Sequence, residues 1–165
     1  MRILAIDPGN TESGFAVIER ATCKPIAIGK TNNNDLRRRI MSGELLVAVD
    51  RVSIEMVASY GMAVGKDVFE TCVWIGRYFE LVYLDFDVRL TYRRDIKLHH
   101  CGTSKAKDSN ISQALVDRFA SSVPNHGKGS KAAQGWFYGF KADIWAAYAL
   151  AVYAADTDAS RGWVA

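Results

Sequence analysis

The chain has 165 residues, 49% of them apolar and 24% charged, a length and composition that predict one compact domain over residues 1–165 and exclude long disordered tails. Its longest apolar run, Ile144 to Ala155, has 12 residues where a membrane helix needs about 20. The lead before Asp7 and Pro8 is too short for a signal peptide, so a soluble cytoplasmic protein without a membrane partner is expected. The net charge of +3 conceals an asymmetry: Tyr92 to Lys141 carries nine Lys or Arg against three Asp, the footprint of a face that binds a polyanion. Three cysteines, Cys23, Cys72 and Cys101, leave one over and form no Cys-x-x-Cys pair, which fits a reducing compartment better than a disulfide scaffold.

In chain order, Arg2 to Asp7 and Gly14 to Ile18 read as two strands of a hairpin around the polar turn Pro8-Gly9-Asn10, with a third strand from Pro25 to Gly29. Asn32-Asn33-Asn34-Asp35 supplies N-cap candidates for a short helix through Arg37, Arg38 and Arg39 that Gly43 ends. Arg51 to Val57 reads as a buried strand. From Asp67 to Leu84 one helical stripe holds Val68, Cys72, Ile75, Phe79 and Val82, and a second holds Phe69, Trp74, Tyr78 and Leu81. A helix apolar on two sides predicts packing against another subunit. A strand over Asp87 to Tyr92, a helix over Ser104 to Ser122 and an Ala-rich helix over Asp143 to Ala155 complete an α/β arrangement around a mixed sheet.

Three acids stand at the ends of these core elements. Asp7 closes an otherwise apolar strand, where a carboxylate either meets a cation or caps the turn. Glu55 interrupts Val52-Ser53-Ile54-Glu55-Met56-Val57, where burial disfavours it unless it has work to do. Asp143 opens the last helix, a position that the helix dipole also favours. Together with a basic face they point to oxygen-ligated Mg²⁺ acting on phosphodiesters.

The run Ile6-Asp7-Pro8-Gly9-Asn10-Thr11-x-x-Gly14-Phe15-Ala16-Val17-Ile18 resembles the opening of the RuvC family of Holliday junction resolvases. Ser53 to Val57 is similar to that family's second acidic strand, and Arg93 to Lys97 followed by Gly102 to the segment before its penultimate helix. Lys105 to Ile111 resembles the start of that helix, and Lys141 to Ala151 the last acidic helix. The resemblance implies an RNase H-like fold with a five-stranded mixed sheet flanked by helices, and a homodimer cutting four-way and related branched DNA in bacterial or phage-infected cytoplasm. It also implies two Mg²⁺ per site, replaceable by Mn²⁺, and the compact size looks more like the bacteriophage branch. Asp7, Glu55 and Asp143 are the expected catalytic metal ligands, Asp7 bridging ions about 4 Å apart, with a 5′-phosphate as product. The family's last helix carries a second acid three residues on, and that position is Ala146 here. Loss of that ligand predicts a chain that binds junctions yet cleaves them slowly.

Arg93, Arg94, Lys97, Lys105, Lys107, Lys128 and Lys131 are the expected DNA contacts. The Gly- and aromatic-rich segment Pro124 to Lys141 suits a flexible DNA-binding loop, although some of its rings belong in a core. The resemblance implies an aromatic after Glu55 that wedges into the junction, for which Tyr60 and Phe69 are candidates, and Phe69, Trp74, Tyr78 and Leu81 are candidates for the dimer interface. His99-His100-Cys101 are adjacent residues that converge poorly on a zinc ion. Two other classes compete: a non-catalytic junction-binding protein, which Ala146 keeps open, and a sugar-kinase-like or actin-like phosphotransferase. The latter shares the opening turn but needs a duplicated domain and a second Gly-rich loop, and the chain has no repeat.

Overall fold

The computed structural model describes residues 1–59 and 61–159. Five strands form one sheet: β1 (Arg2–Asp7), β2 (Glu12–Glu19), β3 (Pro25–Asn32), β4 (Val49–Met56) and β5 (Asp87–Tyr92), in the order β3-β2-β1-β4-β5. The first three pair antiparallel, while β4 runs parallel to β1 and β5 parallel to β4. Helix α1 (Asn33–Met41) follows β3, α2 (Lys66–Val82) follows β4, and α3 (Arg93–Cys101), α4 (Asp108–Phe119) and α5 (Asp143–Ala159) follow β5.

Period-two alternation splits the strands between two cores. Ile3 and Ala5 of β1, with Ala16 and Ile18 of β2, face α3, α4 and α5. Leu4, Ile6, Phe15 and Val17, with Val52 and Ile54 of β4, face α1 and α2. The crossover from β4 to its parallel neighbour β5 runs through α2, the connection that parallel pairing requires.

Two elements differ from the sequence expectation. Helix α3 has no counterpart in the sequence expectation, because it follows β5 with no break and fully buries only Ile96; it ends at Gly102, whose φ of 70° is left-handed. Helix α4 is shorter than Ser104 to Ser122, because Asn110 Oδ1 accepts the Lys107 backbone N–H at 2.8 Å and so sets its start.

Helix α2 has one buried face, Thr71, Ile75, Tyr78 and Val82, so the assignment of Tyr78 to a dimer surface is corrected. Tyr78 is wholly buried. Its hydroxyl lies 3.2 Å from Ser13 Oγ and donates to the Asn33 carbonyl at 3.3 Å. Ser13 Oγ donates to Asn33 Oδ1 at 2.6 Å, and Asn33 Nδ2 donates to the Gly9 carbonyl at 2.8 Å. This network ties α2 and the start of α1 to the turn that follows Asp7. Trp74 and Leu81 pack partly onto the same core, whereas Phe69 and Val73 are 61% and 53% exposed.

The aromatic segment before α5 is also largely core. Phe137 and Phe140 are buried, Trp136 stacks on Phe119, and Trp136 Nε1 donates to the Tyr148 hydroxyl at 2.8 Å. Its rings therefore anchor the segment, leaving Lys128 half-buried and Lys131 and Lys141 exposed as its lysines.

Tyr78→Phe is expected to cost about 1–2 kcal/mol, since it leaves buried Ser13 and Asn33 short of a partner. Urea denaturation of the variant reads this, and parental stability would show that the network carries no weight.

Candidate functional site

The register of the sheet builds the site. Ala5 pairs with Ser53 and Ile6 with Ile54 along the parallel β1–β4 ladder, so the next residues, Asp7 and Glu55, end neighbouring strands on the same face, that of α5. Carboxyl ends of parallel strands are where α/β sheets bind ligands. On the other side of β1, Asp7 pairs with Gly14 and Gly14 with Lys30. Gly14 leaves a gap in this row that the start of α5 fills, since a Cβ at residue 14 would lie 2.5 Å from the Asp143 carbonyl oxygen. Only glycine allows that approach.

Asp7, Glu55 and Asp143 thereby line one cleft of about 460 Å³ together with Arg93, Asp108, Ser109, Ile111, Ser112, Ala142, Trp145 and Ala146. Ala146 faces this cleft one turn after Asp143. Asp108, in the first turn of α4, is an acid that the sequence reading left out.

Two cations are built into this centre. Arg93, which leaves β5 beside Glu55, donates to Glu55 Oε2 at 3.0 Å and to Asp108 Oδ1 at 2.8 Å. Lys30 Nζ lies 2.8 Å from Asp143 Oδ2 and 3.4 Å from Glu12. Asp7 has no side-chain partner among the described residues. Burial, reinforced by the charges of Glu55 and Asp143, pushes its carboxyl up from an ordinary 3.8 to about 8, against the pull of Arg93. Burial likewise raises Glu55, a shift that Arg93 opposes. Burial would lower Arg93, but Glu55 and Asp108 outweigh it and hold the guanidinium charged. Asp143 holds Lys30 charged in the same way.

The donors are all carboxylate oxygens, the chemistry of a hard cation such as Mg²⁺. Among the described residues, however, no three acidic, imidazole or thiolate groups form a ready-made metal cage, and Glu55 and Asp143 each have one oxygen engaged by a basic side chain. The residues fit a divalent cation that completes the charge balance around Asp7.

Of the expected DNA contacts, Arg93 belongs to the acidic cleft and shares a second cleft of about 330 Å³ with Arg94, Lys97 and Ser104. Lys105 and Lys107 are exposed before α4. Tyr60 lies outside the described residues, and Phe69 stands exposed on the first turns of α2. His99 Nε2 lies 2.7 Å from Asp156, and His100 Nε2 lies 2.9 Å from the Ala149 carbonyl, with burial lowering His100 to about 4. Both rings are thus committed to α5. Lys30 and Asp108 went unnoticed because one enters only through strand register and the other looks like an ordinary helix-dipole residue.

No protein-family model matches the sequence, and neither does any curated protein. Solved structures do. The Thermus thermophilus RuvC structure superposes with a TM-score of 0.70 at 15% identity, covering 97% of this chain and 97% of that one. T. thermophilus RuvC in complex with Holliday junction substrate gives 0.71 at 11% identity, covering 98% and 97%. The chain has the RuvC fold. The fowlpox virus Holliday junction resolvase shares it more loosely, with a TM-score of 0.54 at 15% identity over 95% of this chain and 99% of that one. The RuvC-like architecture is thus RNase H-like, a mixed five-stranded sheet flanked by helices, as the opening motif implied.

The folded pKa of Asp7 lies above its ordinary value, so its contribution to stability is complete below about pH 4 and is lost as pH rises through about 8. In the absence of divalent cations, Asp7→Asn is expected to stabilise the protein by on the order of a few kcal/mol at pH 9 and by less at pH 6. Denaturant midpoints at the two pH values measure it, and an equal gap at both would contradict the assignment.

Proposed function

We propose that the chain is a divalent-cation-dependent endonuclease for branched DNA, four-way junctions among its substrates, working as a homodimer in which residues 1–165 form one nuclease domain. The observation that carries this reading is the placement of Asp7, Glu55 and Asp143 around one cleft on a RuvC fold, with the basic cleft of Arg94 and Lys97 beside it. Mg²⁺ is the proposed ion, with Mn²⁺ able to replace it.

When bound, the cation supplies Lewis-acid polarisation of the phosphate and a more acidic water. Asp7, Glu55 and Asp143 are the residues that would hold it, Glu55 and Asp143 each with one oxygen also paired to Arg93 or Lys30. Arg94, Lys97, Lys105 and Lys107, with Lys128 and Lys131 on the segment before α5, are the proposed holders of flanking phosphates; such contacts fix the register of the duplex arms and read shape in place of sequence. Attack of a water oxygen on phosphorus with departure of the 3′ oxygen leaves a 5′-phosphate and a 3′-hydroxyl.

Asp7→Asn and Glu55→Gln are expected to lower junction cleavage in Mg²⁺ by at least about a hundredfold while still shifting a four-way junction in gels run with Ca²⁺, because the chemistry depends on charge placement more than on affinity. A parental chain that shifts junctions but cleaves none with Mg²⁺ or Mn²⁺ would leave a junction-binding module in place of a nuclease.

A four-way junction presents two strands related by an approximate two-fold axis, which two copies of one site match. The exposed side of α2, with Phe69 and Val73, is the proposed contact between copies, displaced from the Trp74, Tyr78 and Leu81 stripe that packs on the chain's own core. Phe69→Glu combined with Val73→Glu should yield folded monomers by sedimentation that no longer make paired cuts. A dimer that survives both changes places the contact elsewhere.

A further inference from the structure

We propose that Arg93 occupies the role of a second metal ion, so that the centre takes one divalent cation and completes its positive charge with a fixed guanidinium. This rests on the nuclease reading above and defines its cation stoichiometry.

The first support is anchorage. Arg93 is held from two elements at once, by Glu55 Oε2 at the end of β4 and by Asp108 Oδ1 at the start of α4, and Arg93, Glu55 and Asp108 all line the acidic cleft. An arginine with one role, gripping DNA backbone from the surface, needs no such clamp inside the carboxylate cluster. The second support is charge. The cleft brings together four carboxylates, Asp7, Glu55, Asp108 and Asp143, and the one cation in its lining is Arg93, while the Lys30 ammonium beside it is shared between Asp143 and Glu12. Arg93 thus already supplies, between Glu55 and Asp108, a positive charge that a second ion would otherwise bring to the cleft.

The third support is the supply of ligands. With Glu55 Oε2 and Asp143 Oδ2 engaged, the oxygens open to a cation are those of Asp7 and one each from Glu55 and Asp143, enough for one ion with water and phosphate completing its shell. A second ion needs an anionic ligand of its own. Asp108 is already committed to Arg93, and residue 146, the other cleft position one turn along α5, is alanine. Guanidinium is the side chain suited to stand in for that ion: it stays charged at any working pH, and its five N–H donors leave several beyond the two used here for the non-bridging oxygens of a phosphate. On this reading Ala146 is part of a one-ion design, the alternative to the sequence expectation that it slows or abolishes cleavage.

The test is Mn²⁺ binding to the full chain with a four-way junction, read by frozen-solution electron paramagnetic resonance and by calorimetry, alongside junction cleavage. The expected result for the parent is one bound Mn²⁺ per chain with an uncoupled hyperfine pattern, and cleavage. Arg93→Gln should lower cleavage about a hundredfold, the effect of deleting one charge-stabilising donor group. Arg93→Lys, which keeps the charge but not the fork, should recover part of that loss and still bind one ion. Two spin-coupled Mn²⁺ in a cleaving parent, or parental cleavage rates in Arg93→Gln, would overturn the inference and leave the nuclease reading standing. A parent that neither binds Mn²⁺ nor cleaves junctions would overturn the nuclease reading itself.

Discussion

The whole site hangs on a missing side chain. At Gly14 the first residue of α5 comes down onto the sheet, its carbonyl oxygen occupying the space that any Cβ would take. The buried small residues Ala147, Ala149 and Ala151 let the rest of the helix follow, so α5 packs along β1 and β2. Asp143 is thereby set in a row with Lys30, Asp7 and Glu55 without any loop having to carry it. Rigid elements place charged groups more reproducibly than loops do, and every acid in the cleft sits at the end of a strand or in the first turn of a helix.

That placement is costly. Carboxylates brought together out of water repel one another and lose hydration, and the raised pKa of Asp7 is the visible result. Lys30 and Arg93 offset part of the cost by pairing with Asp143 and Glu55, while Asp7 has no side-chain partner among the described residues. The Tyr78–Ser13–Asn33 network on the other side of the sheet pins the turn after Asp7, so the acid cannot relax outward to relieve that cost.

Much of the architecture was legible in the residues. The apolar runs of β1 and β2, the apolar run around Glu55 and the caps at Asn32 placed three strands and α1 close to where they lie. Helix α3 was not legible because a helix that buries little beyond Ile96 leaves almost no periodic signal. Helix α2 misled for the opposite reason: its apolar residues exceed one face, and periodicity alone does not say which stripe meets the core. Tyr78 is there because its hydroxyl finds Ser13 and Asn33, and partners from distant segments leave no trace in local sequence.

The sequence by itself determined that acids would end the core elements at Asp7, Glu55 and Asp143, since an apolar strand that stops on a carboxylate is an anomaly visible without coordinates. The order of strands and helices gave a mixed α/β sheet as well, and the resemblance of the opening run Ile6 to Ile18 to the RuvC family implied its RNase H-like form. Which charges neutralise those acids was decided only by the tertiary structure. Lys30 reaches Asp143 through antiparallel register, and Arg93 reaches Glu55 and Asp108 because β5 pairs with β4 and α4 returns over its end. Charge balance in a cleft is a property of distances between segments, and those distances exist only once the sheet has set its register.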